Sequence, residues 1–224
     1  MSLALVHIGM MKAGSTWLHH WLSAHPELAA PFGKNAYFWN REHPLARHHK
    51  HRWPIIPAED YRAAVASVSK AIDVTDSYSF MWEWQISALL AEHPDVLVTY
   101  ALRDPVEALW SHMAMHSVSL EDLASSSPKG DRPPDHDRML ANAHAGDNLY
   151  RWRAAGFDPQ LIGFEQIRTD PLGVLRLIAE LLGVDPAWWD ARADEVAEPV
   201  NPPERPRAEL TPAERERLEE IILA

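Results

Sequence analysis

Gly9 and Gly14 stand with four residues between them, Lys12 falls inside that interval, and Ser15 and Thr16 follow directly. Glycines at this spacing let a strand turn sharply into a helix. Backbone N–H groups then converge beside the positive end of the helix dipole. Such a turn is a seat for an oxyanion. In the ordinary nucleotide-binding loop, GxxxxGK[ST], the lysine follows the second glycine and reaches the outer phosphates while the hydroxyl holds Mg²⁺. Here the lysine comes two positions before the second glycine. It would sit lower, near the bridging oxygen of a shorter anhydride. A solvated lysine on a plain strand-to-helix turn is the alternative.

A second anion site is readable downstream. Arg103 follows the apolar run Val96–Leu102, and Pro105 and Ser111 come after it. The carboxyl end of a strand is where open α/β sheets bind ligands. Pro105 suits the first turn of a helix. Ser111, six residues on, lies about 9 Å along that helix. An arginine fork and a serine hydroxyl so placed can share one phosphate. An ion pair of Arg103 with Asp104 or Glu107 is the competing reading.

These groups need a scaffold, and the composition supplies one. The chain has 224 residues, of which 46 % are hydrophobic, with 21 basic and 32 acidic side chains and a net charge of −11. This length and apolar content support one α/β domain with a full core, here residues 1–224. The absence of cysteine excludes disulfides, thiolate zinc sites and a Cys nucleophile. The acidic balance argues against a nucleic-acid partner, which needs a broad basic face. No apolar run is long enough to span a bilayer. The N-terminal segment lacks a basic region and a small-residue cleavage site, so it reads as the buried first strand of a cytoplasmic protein.

Strands are expected at 3–8, 71–75, 96–102 and 161–164. Helices are expected after Ser15-Thr16, with Trp17, Leu18, Trp21 and Leu22 at helical spacing and Pro26 as the stop, at 59–69, 80–93, 105–116, 137–155 and 172–182, and from Thr211, a good N-cap with Glu214 three residues on. Residues 27–57 read as loop. Alternating strands and helices predict a central parallel sheet flanked by helices, a three-layer sandwich of the P-loop nucleotide-binding type. Residues 125–135 read as a mobile loop, and 194–209 as a charged, Pro-rich loop.

Residues 7–28, HIGMMKAGSTWLHHWLSAHPEL, resemble the opening motif of the sulfotransferases that use 3′-phosphoadenosine 5′-phosphosulfate (PAPS), roughly GxxKxGTTxL. The resemblance implies that Lys12, Gly14, Ser15 and Thr16, with the backbone of Ala13 and Trp17, bind the 5′-phosphosulfate. ALRDPVEALWSHMAMH is similar to the family's LRDPVERAYSHY, which implies that Arg103 and Ser111 grip the 3′-phosphate. AIDVTDSY and LIGFEQIRTDPLGVLRLIAELLGV extend the likeness. VNPPERPRAEL is similar to the loop that closes over the nucleotide, where Arg205 or Arg207 would cap the phosphates.

The resemblance implies a PAPS-dependent sulfotransferase acting on a small-molecule, carbohydrate or lipid acceptor. It releases 3′-phosphoadenosine 5′-phosphate (PAP) and requires no metal. A non-catalytic PAPS- or PAP-binding protein and a P-loop nucleotide kinase are the alternatives. The kinase would need a lysine where Ser15 stands.

The acceptor must lose a proton, so a general base is expected. Many relatives carry a glutamate in a KExHFF string, whereas this chain has Asn35 there. Asp73 and His43 are the candidate bases; Asp73 could equally be a structural carboxylate pairing with Lys34 or Arg103. An acceptor acidic enough to need no base is the remaining option. His112 and His116, four apart, lack a third metal ligand. The basic loop His48-His-Lys-His51 is either solvated surface or the rim of a site for an anionic acceptor. Trp17, Trp21 and Trp110 read as core, and Trp39, Trp53, Trp82 and Trp84 as surroundings of the acceptor.

Overall fold

The computed structural model describes residues 3–47, 56–125, 134–200 and 209–223. Four strands, β1 (Leu3–Gly9), β2 (Ala71–Val74), β3 (Leu97–Leu102) and β4 (Gln160–Gly163), form one sheet in the order β2-β1-β3-β4. Every pairing is parallel, as expected for strands separated by helices. β1 and β3, the central pair, are nearly continuous apolar runs because helices cover both faces.

One face carries α3 (Ala58–Ala66), α4 (Glu83–Glu92) and α8 (Ala145–Ala154). Tyr61, Val65, Ile86, Leu89 and Trp152 pack there on Val6, Ile8, Val98 and Tyr100. The other face carries α1 (Ser15–Ala24), α9 (Phe164–Thr169) and α10 (Pro171–Leu182), with Trp17, Leu18, Trp21, Ile167, Leu175 and Ile178 on Leu5 and Ile72. A third cluster joins α5 (Pro105–His116), α6 (Leu120–Ser125), α7 (Pro134–Ala143) and α13 (Pro212–Leu223). The remaining helices are the short α2 (Pro44–Arg47), α11 (Ala187–Asp190) and α12 (Ala193–Ala197).

The expected single helix over 137–155 is two helices. They break at His144, where the Asn148 side chain donates to the Ala141 carbonyl at 2.8 Å, satisfying a group the helix would otherwise pair internally. The expected loop at 27–57 contains α2 and two bridges to β2, at Ala29 and Lys34. The helix expected at 80–93 starts at Glu83, after a 3₁₀ turn over Asp76–Phe80. The expected loop at 194–209 opens within α12. Thr211 and Glu214 form the reciprocal cap read from the sequence: Glu214 N–H donates to Thr211 Oγ1 at 3.3 Å, and Thr211 N–H to Glu214 Oε2 at 2.8 Å. Residues 126–133 and 201–208, including Arg205 and Arg207, lie outside the described residues.

Candidate active site

β1 ends at Gly9, and the chain turns through Met10–Gly14 into α1. Both glycines are dictated by packing as well as by conformation. Gly9 has φ +138°, and a Cβ there would lie 2.5 Å from the Ala101 nitrogen. Gly14 has φ +96°, and a Cβ would lie 2.8 Å from Ile167 Cδ1. Lys12 also has positive φ, 65°, a conformation an L-residue adopts at a cost of about 1–2 kcal/mol.

Contacts from β3, Arg103 and α7 hold the turn. Met10 N–H donates to Ala101 O at 3.0 Å. Asn142 accepts from Met11 N–H through Oδ1 and donates through Nδ2 to Gly9 O at 3.3 Å. Arg103 Nη1 donates to Lys12 O at 2.8 Å. Gly14 caps α1 with no side-chain hydrogen bond, and the first turn holds no acidic residue. The amides of Ser15, Thr16 and Trp17 therefore meet no side-chain cap, which is how a helix terminus receives an anion.

Arg103 leaves the carboxyl end of β3. Its guanidinium lies 4.4 Å over the Phe164 ring, and Nη2 is 3.8 Å from Glu107 Oε2. The ion pair weighed in the sequence is thus present beside the bond to the loop. Burial pulls the arginine's pKa below its ordinary value, yet a guanidinium keeps its charge at working pH. Ser111 lies half-buried on α5, and Met115, one turn further, accepts from Lys12 Nζ at 3.6 Å through its sulfur. The two anion sites read from the sequence therefore meet: Arg103 touches the backbone of Lys12, and the Lys12 side chain reaches α5.

Asp73 is placed otherwise than a base would be. It is 2 % exposed. Oδ2 accepts from Tyr61 and Tyr78 hydroxyls at 2.9 and 3.0 Å, and Oδ1 from Thr75 at 2.6 Å. Burial raises its pKa while the three hydroxyls oppose that shift. Tyr78 and Thr75 in turn accept from the amides of Phe38 and Ala36. Asp73 so anchors the segment in which Asn35 and Tyr37 take positive φ. Neither Lys34 nor Arg103 pairs with it: Lys34 lies 3.7 Å from Asp76, at the start of the 3₁₀ turn. Asp76 is buried, and its Oδ1 has no hydrogen-bond partner.

His43 accepts from Leu45 N–H at 3.3 Å and packs on Phe80 and Trp82. Burial, helped by Arg151, pushes its pKa down to about 4. Trp39, expected near the acceptor, is core instead, donating to Tyr61 OH at 3.2 Å. Trp82 and Trp84 are exposed, and Trp53 lies outside the described residues. A cavity of about 480 Å³ opens at the amino ends of β3 and β4, between Val96, Phe157 and Leu161. It lies at the end of the sheet away from the loop.

His7 and His112 are buried, and burial pushes both pKa values down to about 3. Lys34 adds to the effect at His7; Arg138, His116 and Lys12 add to it at His112. A depressed folded pKa means that the unfolded chain takes up the proton first. The stability involved is complete above pH 6.5 and is lost as pH falls. Each histidine should cost about 2 kcal/mol at pH 5 relative to pH 7.5. Urea unfolding at the two pH values measures this. His112→Gln should reduce the loss by about 2 kcal/mol, the rest staying with His7, His43 and the other buried histidines, and equal stability at both pH values would refute it.

Asn142 was not readable as a site residue. It follows Met139, Leu140 and Ala141 on α7, with no motif around it, and only the packing of α7 on the loop gives it a role.

These elements define a class: a parallel α/β fold with a phosphate-type loop at the carboxyl ends of its strands, whose lysine lies within the loop. The profile of the sulfotransferase family matches residues 5–190, and the chain belongs to that family. Among solved structures it is similar to a sulfotransferase from Alicyclobacillus acidocaldarius, at 19 % identity and TM-score 0.73, covering 100 % of this chain and 92 % of that one. The sulfotransferase domain of the curacin biosynthetic pathway gives 14 % identity and TM-score 0.58 over 83 % and 75 % of the two chains. The sulfotransferase domain of the Synechococcus PCC 7002 olefin synthase gives 15 % and 0.55 over 100 % and 95 %. No curated protein matches the chain. Among the described residues no helix is long and apolar enough to cross a membrane, and no group of three or more His, Asp or Glu is placed to hold a metal ion.

Proposed function

We propose that the chain moves a sulfuryl group from PAPS to a hydroxyl or amine of a small-molecule, carbohydrate or lipid acceptor. The observation that carries this reading is the 2.8 Å bond from Arg103 to Lys12 O. It ties the strand-end guanidinium to the main chain of the lysine-bearing loop, which supports a reading in which one doubly phosphorylated nucleotide spans both. The site suits that group: α1 opens on Gly14 with no side-chain cap and no acidic residue in its first turn, and Lys12 and Arg103 lie beside it. PAPS, when bound, supplies an activated sulfuryl group.

In this reading the amides of Ser15, Thr16 and Trp17 hold the 5′-phosphate, and Ala13 and Gly14 shape the turn. Arg103 and Ser111 hold the 3′-phosphate. The Lys12 ammonium neutralises charge that grows on the leaving oxygen, the largest electrostatic contribution a site of this kind makes. Asp73 serves as a positioning residue, both its oxygens being taken by hydroxyls. His43, with so low a pKa, is a weak base at neutral pH and lines the site with Trp82. The acceptor's proton goes to Asp76, whose Oδ1 is buried without a partner at the carboxyl end of β2.

PAP should raise the melting temperature without magnesium. At one hundred times its dissociation constant it stabilises by about 2.7 kcal/mol, roughly 5–10 °C for a chain of this size. ATP with magnesium should do much less. An equal or larger shift with magnesium and ATP would point to a kinase. Acceptor-stimulated consumption of PAPS, lost in Asp76→Asn while the PAP shift stays, separates an enzyme from a binding protein. PAP binding with no stimulation by phenols, sugars or lipids would favour the binding protein.

A further inference from the structure

Arg138 is 5 % exposed, on α7, and its Nε and Nη1 are buried with no hydrogen-bond partner. A guanidinium has five donors and no acceptor. Left buried without an anion, it is among the costliest groups a fold can contain, and an unsatisfied buried donor of this kind points to a group that completes it.

The position says where that group would sit. Asn142 follows Arg138 by four residues, which puts both on one face of α7, and Asn142 is bonded to Gly9 and Met11 of the loop. His112 on α5 feels the charges of both Arg138 and Lys12, and Tyr37 those of Arg138 and Asp76. Arg138 therefore lies between the loop, α5 and the Asn35–Tyr37 segment. The carboxylate nearby, Asp76, has its ion pair with Lys34. The nucleotide, in the reading above, already has Lys12, Arg103 and Ser111. The chain's net charge of −11 would otherwise repel a second anion, so a local cation is needed to admit one.

We propose that Arg138 receives an oxyanion on the acceptor, which makes the acceptor a hydroxyl or amine compound bearing a carboxylate, phosphate or sulfate. The proposal rests on the sulfotransfer reading. Wild-type protein saturated with PAP is titrated calorimetrically with 4-hydroxybenzoate against its methyl ester, and with glucose 6-phosphate against glucose. The pairs distinguish a carboxylate from a phosphate. At least one anionic member should bind tenfold or more tighter than its neutral partner, with a matching difference in KM rather than kcat wherever turnover occurs.

Arg138→Gln should erase the gap and leave PAP affinity unchanged, and Arg138→Lys, which keeps the charge, should retain part of it. Melting curves of both variants check the fold. A gap absent in wild type, or surviving in Arg138→Gln, overturns the proposal. So does a tenfold loss of PAP affinity in Arg138→Gln, which would give the guanidinium to the nucleotide. Failure of wild type to bind PAP brings down the nucleotide reading and this proposal with it. PAP bound without an anion preference brings down this proposal alone.

Discussion

Lys12→Ala should lower the turnover of PAPS by 10²- to 10³-fold while weakening PAP binding by no more than about tenfold. The asymmetry follows from when the ammonium acts. PAP carries its phosphate charge in the ground state, and in the proposed reading the loop amides, Arg103 and Ser111 share it. The extra charge on the bridging oxygen appears only as the bond breaks, and a group that meets charge only then contributes to kcat. Removing one preorganised donor of this kind costs about 2.7–4 kcal/mol of barrier. The turn itself should persist. Position 12 has φ 65° with lysine already in place, so alanine introduces no new backbone strain, and Gly9, Asn142 and Arg103 hold the loop through its main chain. Single-turnover rates beside calorimetric PAP affinity make the measurement. Unchanged turnover would remove Lys12 from the chemistry.

Arg103→Ala should weaken PAP about 100-fold, because charge-assisted bonds contribute about 1.5–3 kcal/mol each. Beside its bond to the Lys12 carbonyl the side chain has, in the proposed reading, a second task, a ligand's phosphate, and adenosine 5′-phosphate separates the two. It lacks the 3′-phosphate, so wild type should prefer PAP over it strongly, and Arg103→Ala should lose that preference. A merely structural role would weaken both nucleotides equally, and that result would overturn the assignment. Arg103→Lys keeps the charge without the planar fork and should recover only part of the preference.

The loop and the strand end proposed as anion sites were legible as local structure because each is a local instruction. Gly9, Lys12, Gly14 and the residues after them specify a turn whose geometry needs little from elsewhere; Arg103, Pro105 and Ser111 specify a strand end and a helix start. Register alone then brings them together, since β1 and β3 are adjacent and parallel. What could not be read depends on distant packing. Asp73 looked like a base by its place at a strand end, but hydroxyls from Tyr61, Thr75 and Tyr78 converge on it only in the fold. Asn142 occupies an ordinary helix sequence and holds the loop only because α7 lies against it. The break at His144 depends on one amide reaching back to Ala141, a contact no periodicity encodes.

Glu107 divides its two oxygens between arginines: Oε2 lies 3.8 Å from Arg103 and Oε1 2.9 Å from Arg215 on α13, which also reaches Asp104 at 3.4 Å. In the proposed reading an incoming phosphate competes with this carboxylate for Arg103. By engaging both acidic neighbours, Arg215 draws on the same carboxylate, so in that reading α13, more than a hundred residues further along the sequence, bears on how readily the guanidinium meets a guest.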